Sequence, residues 1–296
     1  MKFIEEWDFS SFMLHKLSYL VEPKLFVVAY LLIPKILNKP TPGILALHQH
    51  NDEYKAGKSE VVGLVKNPQY MKLEAVVPNK NHQTPTSRKQ FAYAKDLCER
   101  GFIVLAPDFI GFEDYRDKDE YYEDPGFVRG YEELISGKYL LYGSCLMAKH
   151  VHDMYVALSV LSSIQGVDPD KLGVIGHSLG GEVATLLTAF DTRIKAGVSS
   201  CGTLSYEDFE RRNRMETAET IIPNFRANGL EFDFFLDLIP PTPFCATNGL
   251  EDATLQGKKL LEKDRKNFEV ILFQGGHCFP QAVREAAYEF LRQKLC

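Results

Sequence analysis

The 296-residue sequence lacks a disulfide framework, a basic surplus and a membrane-length apolar run. Its six cysteines (Cys98, Cys145, Cys201, Cys245, Cys278 and Cys296) are dispersed, with no C-x-x-C pair and no zinc-like spacing. That pattern predicts reduced and mostly buried thiols. A chain of about 300 residues can bury roughly 75% of its unfolded surface and needs no covalent staples. With 34 Lys+Arg against 40 Asp+Glu, the net charge of −6 excludes the basic stripe of a general nucleic-acid binder. The longest strongly apolar run, Leu25 to Ile33, is nine residues, about half of a membrane span. Met1 to Ser18 carries Glu5, Glu6 and Asp8 where a signal peptide would carry a basic and then an apolar segment. At 45% hydrophobic and 25% charged residues, the chain is neither disordered nor fibrous in composition. A soluble, cytoplasmic globular protein without a membrane or nucleic-acid partner is expected; its oligomeric state is not legible.

What is present is alternation. Short apolar runs at Leu25–Ile33, Gly43–His48, Phe102–Pro107, Leu172–Gly176, Ile194–Ser199, Pro243–Asn248 and Phe268–Phe273 read as buried parallel strands. Between them lie helical periodicities. One is capped by Thr86 or Ser87 and ends at Gly101, and one runs through Leu146, Met147, Val151, Met154, Leu158 and Leu161. A last one starts near Pro280 and continues through Val283, Ala287 and Phe290 to Leu291. The pattern predicts an α/β fold with a mostly parallel sheet covered on both faces. No repeat, low-complexity tract or linker divides the chain, so one domain over residues 1–296 is expected.

Three segments interrupt the alternation: the polar stretch 51–85, with Pro68, Pro78 and Pro85; the Tyr/Asp/Glu-rich stretch 111–143; and 203–241, which carries Phe225, Phe232, Phe234, Phe235 and Leu236. Each follows a strand, which places it at the carboxyl edge of the sheet, where open α/β sheets bind ligands. Residues 203–241 are expected to form a small cap, and residues 1–18 an N-terminal extension.

The sharpest motif is Gly176-His177-Ser178-Leu179-Gly180-Gly181, set between a strand and a helix. A turn this tight needs small residues on either side of the central serine and lifts its hydroxyl above the sheet. The helix start adds N–H groups that favour negative charge there. A serine hydroxyl requires a base, and His277, in the loop between the last strand and the last helix, stands on the same edge. After the strand Pro243–Asn248 come Glu251 and Asp252, either of which can orient an imidazole; Asp252 is the preferred choice. The order Ser178, Asp252, His277 is that of the α/β-hydrolases, not of chymotrypsin or subtilisin.

The chain resembles the α/β-hydrolase superfamily, and within it the dienelactone hydrolase and acetyl xylan esterase-like group. The resemblance rests on Gly43–His50, Val104–Asp108, Val167–Asp170, Gly176–Gly181, Gly249–Asp252 and Gly276-His277, and runs from about Leu25 to the C-terminus. Two departures stand out. Dienelactone hydrolase uses a cysteine nucleophile, whereas Ser178 stands here, so the resemblance implies esterase-like chemistry. The family's oxyanion loop begins His-Gly, but Gln49 follows His48. By position, the oxyanion hole would consist of the backbone N–H groups of His50 and Leu179. Gln49, Glu113 and His177 are candidates for substrate contact.

His48-x-His50-x-Asp52 and His150-x-His152 imitate zinc motifs, but Glu53 stands where a third histidine would be wanted. His150 and His152, two apart on a helix, point to different faces. No metal and no cofactor are expected. The reading is a serine hydrolase of small or medium acyl esters, with peptidase, thioesterase or acyltransferase chemistry, or a non-catalytic binding protein, as the alternatives.

Overall fold

A computed structural model describes residues 1–37, 40–50, 56–64, 92–116, 128–213 and 217–296. Within them the chain runs β1 (Lys2–Asp8), β2 (Phe12–Glu22), β3 (Leu25–Pro34), β4 (Thr41–Leu47), α1 (Lys58–Val61), α2 (Tyr93–Glu99) and β5 (Ile103–Pro107). It continues through α3 (Val128–Leu141), α4 (Leu146–Ser162), β6 (Val167–His177), α5 (Leu179–Phe190), β7 (Ile194–Ser200), α6 (Tyr206–Arg212), α7 (Asp233–Leu238), β8 (Phe244–Gly249), β9 (Phe268–Phe273) and α8 (Gln281–Leu295).

The strands form one sheet in the order β1-β2-β3-β5-β4-β6-β7-β8-β9. Strands β4 to β9 are parallel, and β1, β2 and β3 add to the β5 side by antiparallel pairing. The mostly parallel α/β architecture is therefore present, and all seven apolar runs are strands. Leu25–Ile33 is corrected in direction: β3 runs antiparallel to β5, pairing Leu31 with Leu105. Residues 1–18 also differ from a separate extension, because they form β1 and most of β2 in the same sheet. Strand β1 is exposed along nearly its whole length, so no buried face marks it in the sequence. Strand β2 buries Phe12 and Leu14 on one face, then Leu17, Tyr19 and Val21 on the other. That switch spoils the simple alternation of a half-buried strand.

Strand β4 is buried at every residue because both of its faces are covered. Leu45 and Leu47 pack with Met154, Leu158 and Leu161 of α4 and Val183 and Leu187 of α5. Ile44 and Ala46 face the opposite layer, with Tyr93 and Leu97 of α2 and Ala287 and Leu291 of α8. Helix α8 follows Pro280 and turns Val283, Ala287, Phe290 and Leu291 inward at three- and four-residue spacing. Each large aliphatic or aromatic side chain so buried stabilises the fold by about 1.5–3 kcal/mol. The helix ending before Gly101 is α2, and Gly101 takes φ +96; its expected caps, Thr86 and Ser87, lie outside the described residues. In 203–241, α6, α7 and two short 3-10 turns bury Phe209, Phe225, Phe232 and Phe235 together.

An ion cluster joins the segments that leave β4 and β5. The fully buried Lys58 ammonium contacts Asp108 at 2.6 Å, Asp114 at 2.7 Å and Glu113 at 2.9 Å, and lies 5.2 Å from the Tyr30 ring centroid. Glu113 also accepts from the backbone N–H groups of Gly57 and Ser59, at 3.0 Å each. Burial pulls the Lys58 pKa down, but the three carboxylates overcome it and hold the group well above its ordinary value. Removing one partner of a buried ion cluster leaves uncompensated charge. Lys58→Met is therefore expected to destabilise the protein by about 3–5 kcal/mol, measured by urea unfolding at pH 7; a loss below 1 kcal/mol, the usual range for exposed pairs, would contradict it.

Candidate active site

The parallel strands change direction of progression at β4. The chain moves from β4 to β5 on one side and returns to β6 on the other. In open α/β sheets, ligands bind at such a switch point, beyond the carboxyl ends of the strands, here those of β4 and β6. Strand β6 ends at His177, and α5 begins at Leu179, so Ser178 alone makes the turn, with φ 55 and ψ −123. That positive-φ conformation, outside the left-handed helical region, costs a non-glycine residue about 1–3 kcal/mol. It is held by the Ser178 N–H, which donates to Ser200 O at 2.8 Å, and by Ser178 O, which accepts from Glu182 N at 2.9 Å. Two glycines make the turn possible. A Cβ on Gly176 would stand 2.1 Å from Gly180 O, and one on Gly180 would stand 2.2 Å from Leu47 O.

His277 comes to this serine from the β9–α8 loop. Its Nε2 lies 2.8 Å from Ser178 Oγ, and its Nδ1 lies 2.9 Å from Asp252 Oδ2. Asp252 Oδ1 accepts the Thr254 N–H at 2.9 Å. Burial pushes the Asp252 carboxyl up, but the His277 ring and the Thr254 N–H hold it below its ordinary value. Asp252 is 3% exposed, while the His277 side chain remains 24% exposed, so the imidazole is reachable and the carboxylate is not. Of the two adjacent acids, Asp252 is the one against the imidazole; Glu251 turns outward to Gln274.

Leu179 opens α5, where the first N–H groups of a helix have no intrahelical partner. His50 stands three residues beyond β4. Its Nε2 is 2.9 Å from Glu132 Oε2 of α3, and its ring meets Phe112 edge-on at 5.4 Å. Glu132 also accepts the Glu219 N–H at 3.0 Å. Burial and the neighbouring Glu132 push the Glu219 pKa well above its ordinary value. Glu132, bonded to both, stays ionised. Through Glu219, the 203–241 segment thus reaches the loop that carries His50.

The structure gives each of the three candidates for substrate contact a partner within the protein. Gln49 is buried and its amide donates to Glu60. Both Glu113 oxygens are taken by Lys58, Gly57 and Ser59. His177 is buried beneath the catalytic candidates, with Nδ1 3.1 Å from Ser200 Oγ and its ring 5.0 Å from that of His277. Burial, then the proximity of His277, holds the His177 pKa well below its ordinary value. In each case a polar side chain near the sheet edge turns inward to satisfy a buried partner.

Among the described residues, His50 and His152, one from each zinc-like motif, fall in different groups of possible metal donors. His48 Nδ1 bonds Gln49 O at 2.8 Å, and its Nε2 accepts the Phe109 N–H at 3.0 Å, so neither nitrogen is spare. His150 is buried against Phe109, whereas His152 faces solvent beside Asp153. Asn51, Asp52 and Glu53 lie outside the described residues. One such group, His50, Glu132 and Glu219, brings its atoms within 4.8 Å of one another. Lys58 and Glu132 carried no site signal in the sequence, since Lys58 lies in the polar stretch 51–85 and Glu132 is one of many acids in 111–143. No described helix is long and apolar enough to cross a membrane.

Burial lowers the His48 pKa to about 4 and that of His150 to about 3. The unfolded chain binds protons near pH 6.5 that these folded rings refuse. Their contribution is therefore complete above pH 6.5 and is lost as pH falls towards 4. Glu182 and Glu219, whose pKa values burial raises, act with the opposite sign, so the histidine effect is read as a difference. His150→Leu should gain on wild type by about 1.4 kcal/mol per pH unit between pH 6.5 and 4, in parallel urea titrations. Equal slopes would show that the folded imidazole binds protons normally.

A model of the dienelactone hydrolase family matches residues 64–227, a span that includes Ser178 and ends before Asp252 and His277. YtaP of Bacillus subtilis (strain 168), named as a hydrolase, is 27% identical over 285 residues, covering 90% of this chain and 83% of that protein. A structure named as an acetyl xylan esterase, from Bacteroides fragilis NCTC 9343, superposes with a TM-score of 0.69 at 18% identity, covering 98% of this chain and 76% of its own. The acetyl xylan esterase from Paenibacillus sp. R4 gives 0.66 at 16%, covering 99% and 88%. The glucuronoyl esterase from Solibacter usitatus gives 0.65 at 14%, covering 100% and 86%.

Proposed function

The chain belongs to the dienelactone hydrolase family, and from that membership we propose that it is a serine hydrolase of small or medium carboxylic esters. The observation that carries the proposal is the unbroken relay from Asp252 Oδ2 to His277 Nδ1, at 2.9 Å, and from His277 Nε2 to Ser178 Oγ, at 2.8 Å. Such a relay activates a hydroxyl that is otherwise a weak nucleophile.

In the proposed reaction, His277 takes the Ser178 proton as Oγ attacks the ester carbonyl. Asp252 holds the imidazole in the tautomer that presents Nε2 and stabilises the imidazolium. The oxyanion is received by the backbone N–H groups of His50 and Leu179, each worth about 10²–10³ in turnover at such a site. His277 then protonates the departing alcohol, and water cleaves the acyl-enzyme by the same path. This route calls for no cofactor. The carboxyl-edge segment 203–241 serves as a small cap on the acyl side, tied to the oxyanion loop through Glu219, Glu132 and His50.

A fluorophosphonate probe should label the wild type and not Ser178→Ala. Ser178→Ala and His277→Ala should each lose about 10⁴-fold or more in kcat on p-nitrophenyl acetate, with Asp252→Asn close behind. A wild type that stays unlabelled and inactive on both the acetate and the butyrate ends the proposal. Faster turnover of a thioester or aminoacyl amide than of any p-nitrophenyl ester would move the substrate class while keeping the nucleophile.

A further inference from the structure

Cys201 follows directly on β7 and is fully buried. Its φ of 47 is uncommon for a residue with a side chain. The bond from its N–H to Thr247 O, 2.7 Å long, holds it against β8. Its Sγ, an Asp252 carboxylate oxygen and a His277 ring nitrogen all lie within 4.8 Å of one another. The thiol donates to the carbonyl oxygen of Cys278, the residue after His277, at 3.5 Å, and its contact with Asp252 is one of the interactions that hold that carboxyl low. The relay described above does not use this sulfur.

We infer that Cys201 is a positioning residue: its buried S–H, set between the Asp252 carboxylate and the Cys278 carbonyl, fixes the acid and the histidine loop relative to each other. The inference rests on the serine-hydrolase reading. A carboxylate offers about four lone-pair sites. Thr254 and His277 occupy one on each oxygen, and burial leaves little water to fill the rest. A thiol is a weak donor, so it adds direction while drawing less of the negative charge that the imidazolium needs than a stronger donor would. A charge-assisted donor at the same place would compete for it. Burial, reinforced by the Asp252 charge, pushes the thiol pKa up. Cys201 therefore keeps its proton and does not become a second anion beside Asp252.

Two variants of the full chain test the role, Cys201→Ala and Cys201→Ser. The readouts are kcat and KM on p-nitrophenyl acetate, and the NMR titration of the His277 imidazole, which needs no turnover. Cys201→Ala should lower kcat about 2–10-fold, the rate equivalent of one ordinary hydrogen bond, with KM little changed. Without the donor, more of the Asp252 charge reaches the imidazolium, so the His277 midpoint should move up. Cys201→Ser supplies a stronger donor at the same place, so it should largely restore kcat and move the midpoint down. Should the alanine variant fold poorly, the downward shift with serine carries the test. Unchanged midpoints in both variants, or equal impairment of kcat in both, would reduce Cys201 to packing and overturn the inference. A wild type unlabelled by fluorophosphonate would instead remove the reading beneath it, and the titration distinguishes that failure from this one.

Discussion

The absence of side chains at Gly176 and Gly180 is the constraint on which the rest of the site depends. With hydrogen at both positions, the start of α5 lies against the Leu47 and His48 carbonyls, and the Ser178 turn closes on itself. An added methyl group at either glycine would overlap backbone oxygen, which cannot swing aside as a flexible side chain can. The nucleophile candidate and the loop leaving β4 are therefore brought together by backbone contact, not by a hydrogen bond that thermal motion could break. The strained φ of Ser178 is tolerated because β6, β7 and α5 over-determine it. Preorganisation of this kind lowers the reorganisation that a reaction would otherwise require.

Backbone contact alone does not hold the loops above the sheet, and here buried polar groups take over. The Tyr93 hydroxyl donates to Leu47 O from α2, so the last peptide of β4 is held from one layer by Tyr93 and touched from the other by Gly180. Beyond β4, Lys58 gathers three carboxylates that leave β5, and Lys16 of β2 adds a second ammonium to Asp114 at 2.9 Å. Desolvation makes each of these charges costly when alone, so the cluster is more a device for specifying where the two loops go than a source of net stability. It also explains why the N-terminal strands belong to the functional unit: β2 and β3 supply Lys16 and Tyr30 to that cluster.

The parallel strands and the Ser178–Asp252–His277 geometry were legible because both rest on local or ordinal signals. Apolar runs mark β4 to β9, and the order of three residues along the chain reports the order of strand ends along the sheet edge. The direction of β3 was not legible, because an apolar run says that a strand is buried and nothing about its neighbour's direction. Strands β1 and β2 escaped for a different reason: one buries no face, and the other changes its buried face midway. The inward partners of Gln49, Glu113 and His177 were hidden for the same kind of reason. Position beyond a strand end puts a residue at the carboxyl edge, yet the direction of its side chain is set by long-range partners, here Glu60, Lys58 and Ser200.

That distinction bears on the chemistry of the site as well as on its description. Two histidines stand side by side at the serine, and only one of them can serve as its base. His177, closer in sequence, is buried with Nδ1 against Ser200 and is held neutral by desolvation. His277 reaches solvent on one side and a buried carboxylate on the other. A base must gain and release a proton within each turnover, so it needs access to water and a fixed anion to stabilise the charged form. His177 has neither, and its neutrality is itself useful: a second positive ring 5.0 Å from His277 would oppose formation of the imidazolium. In the proposed reaction the neighbour adjacent to Ser178 is therefore an uncharged floor, and proton transfer falls to His277, ninety-nine positions away.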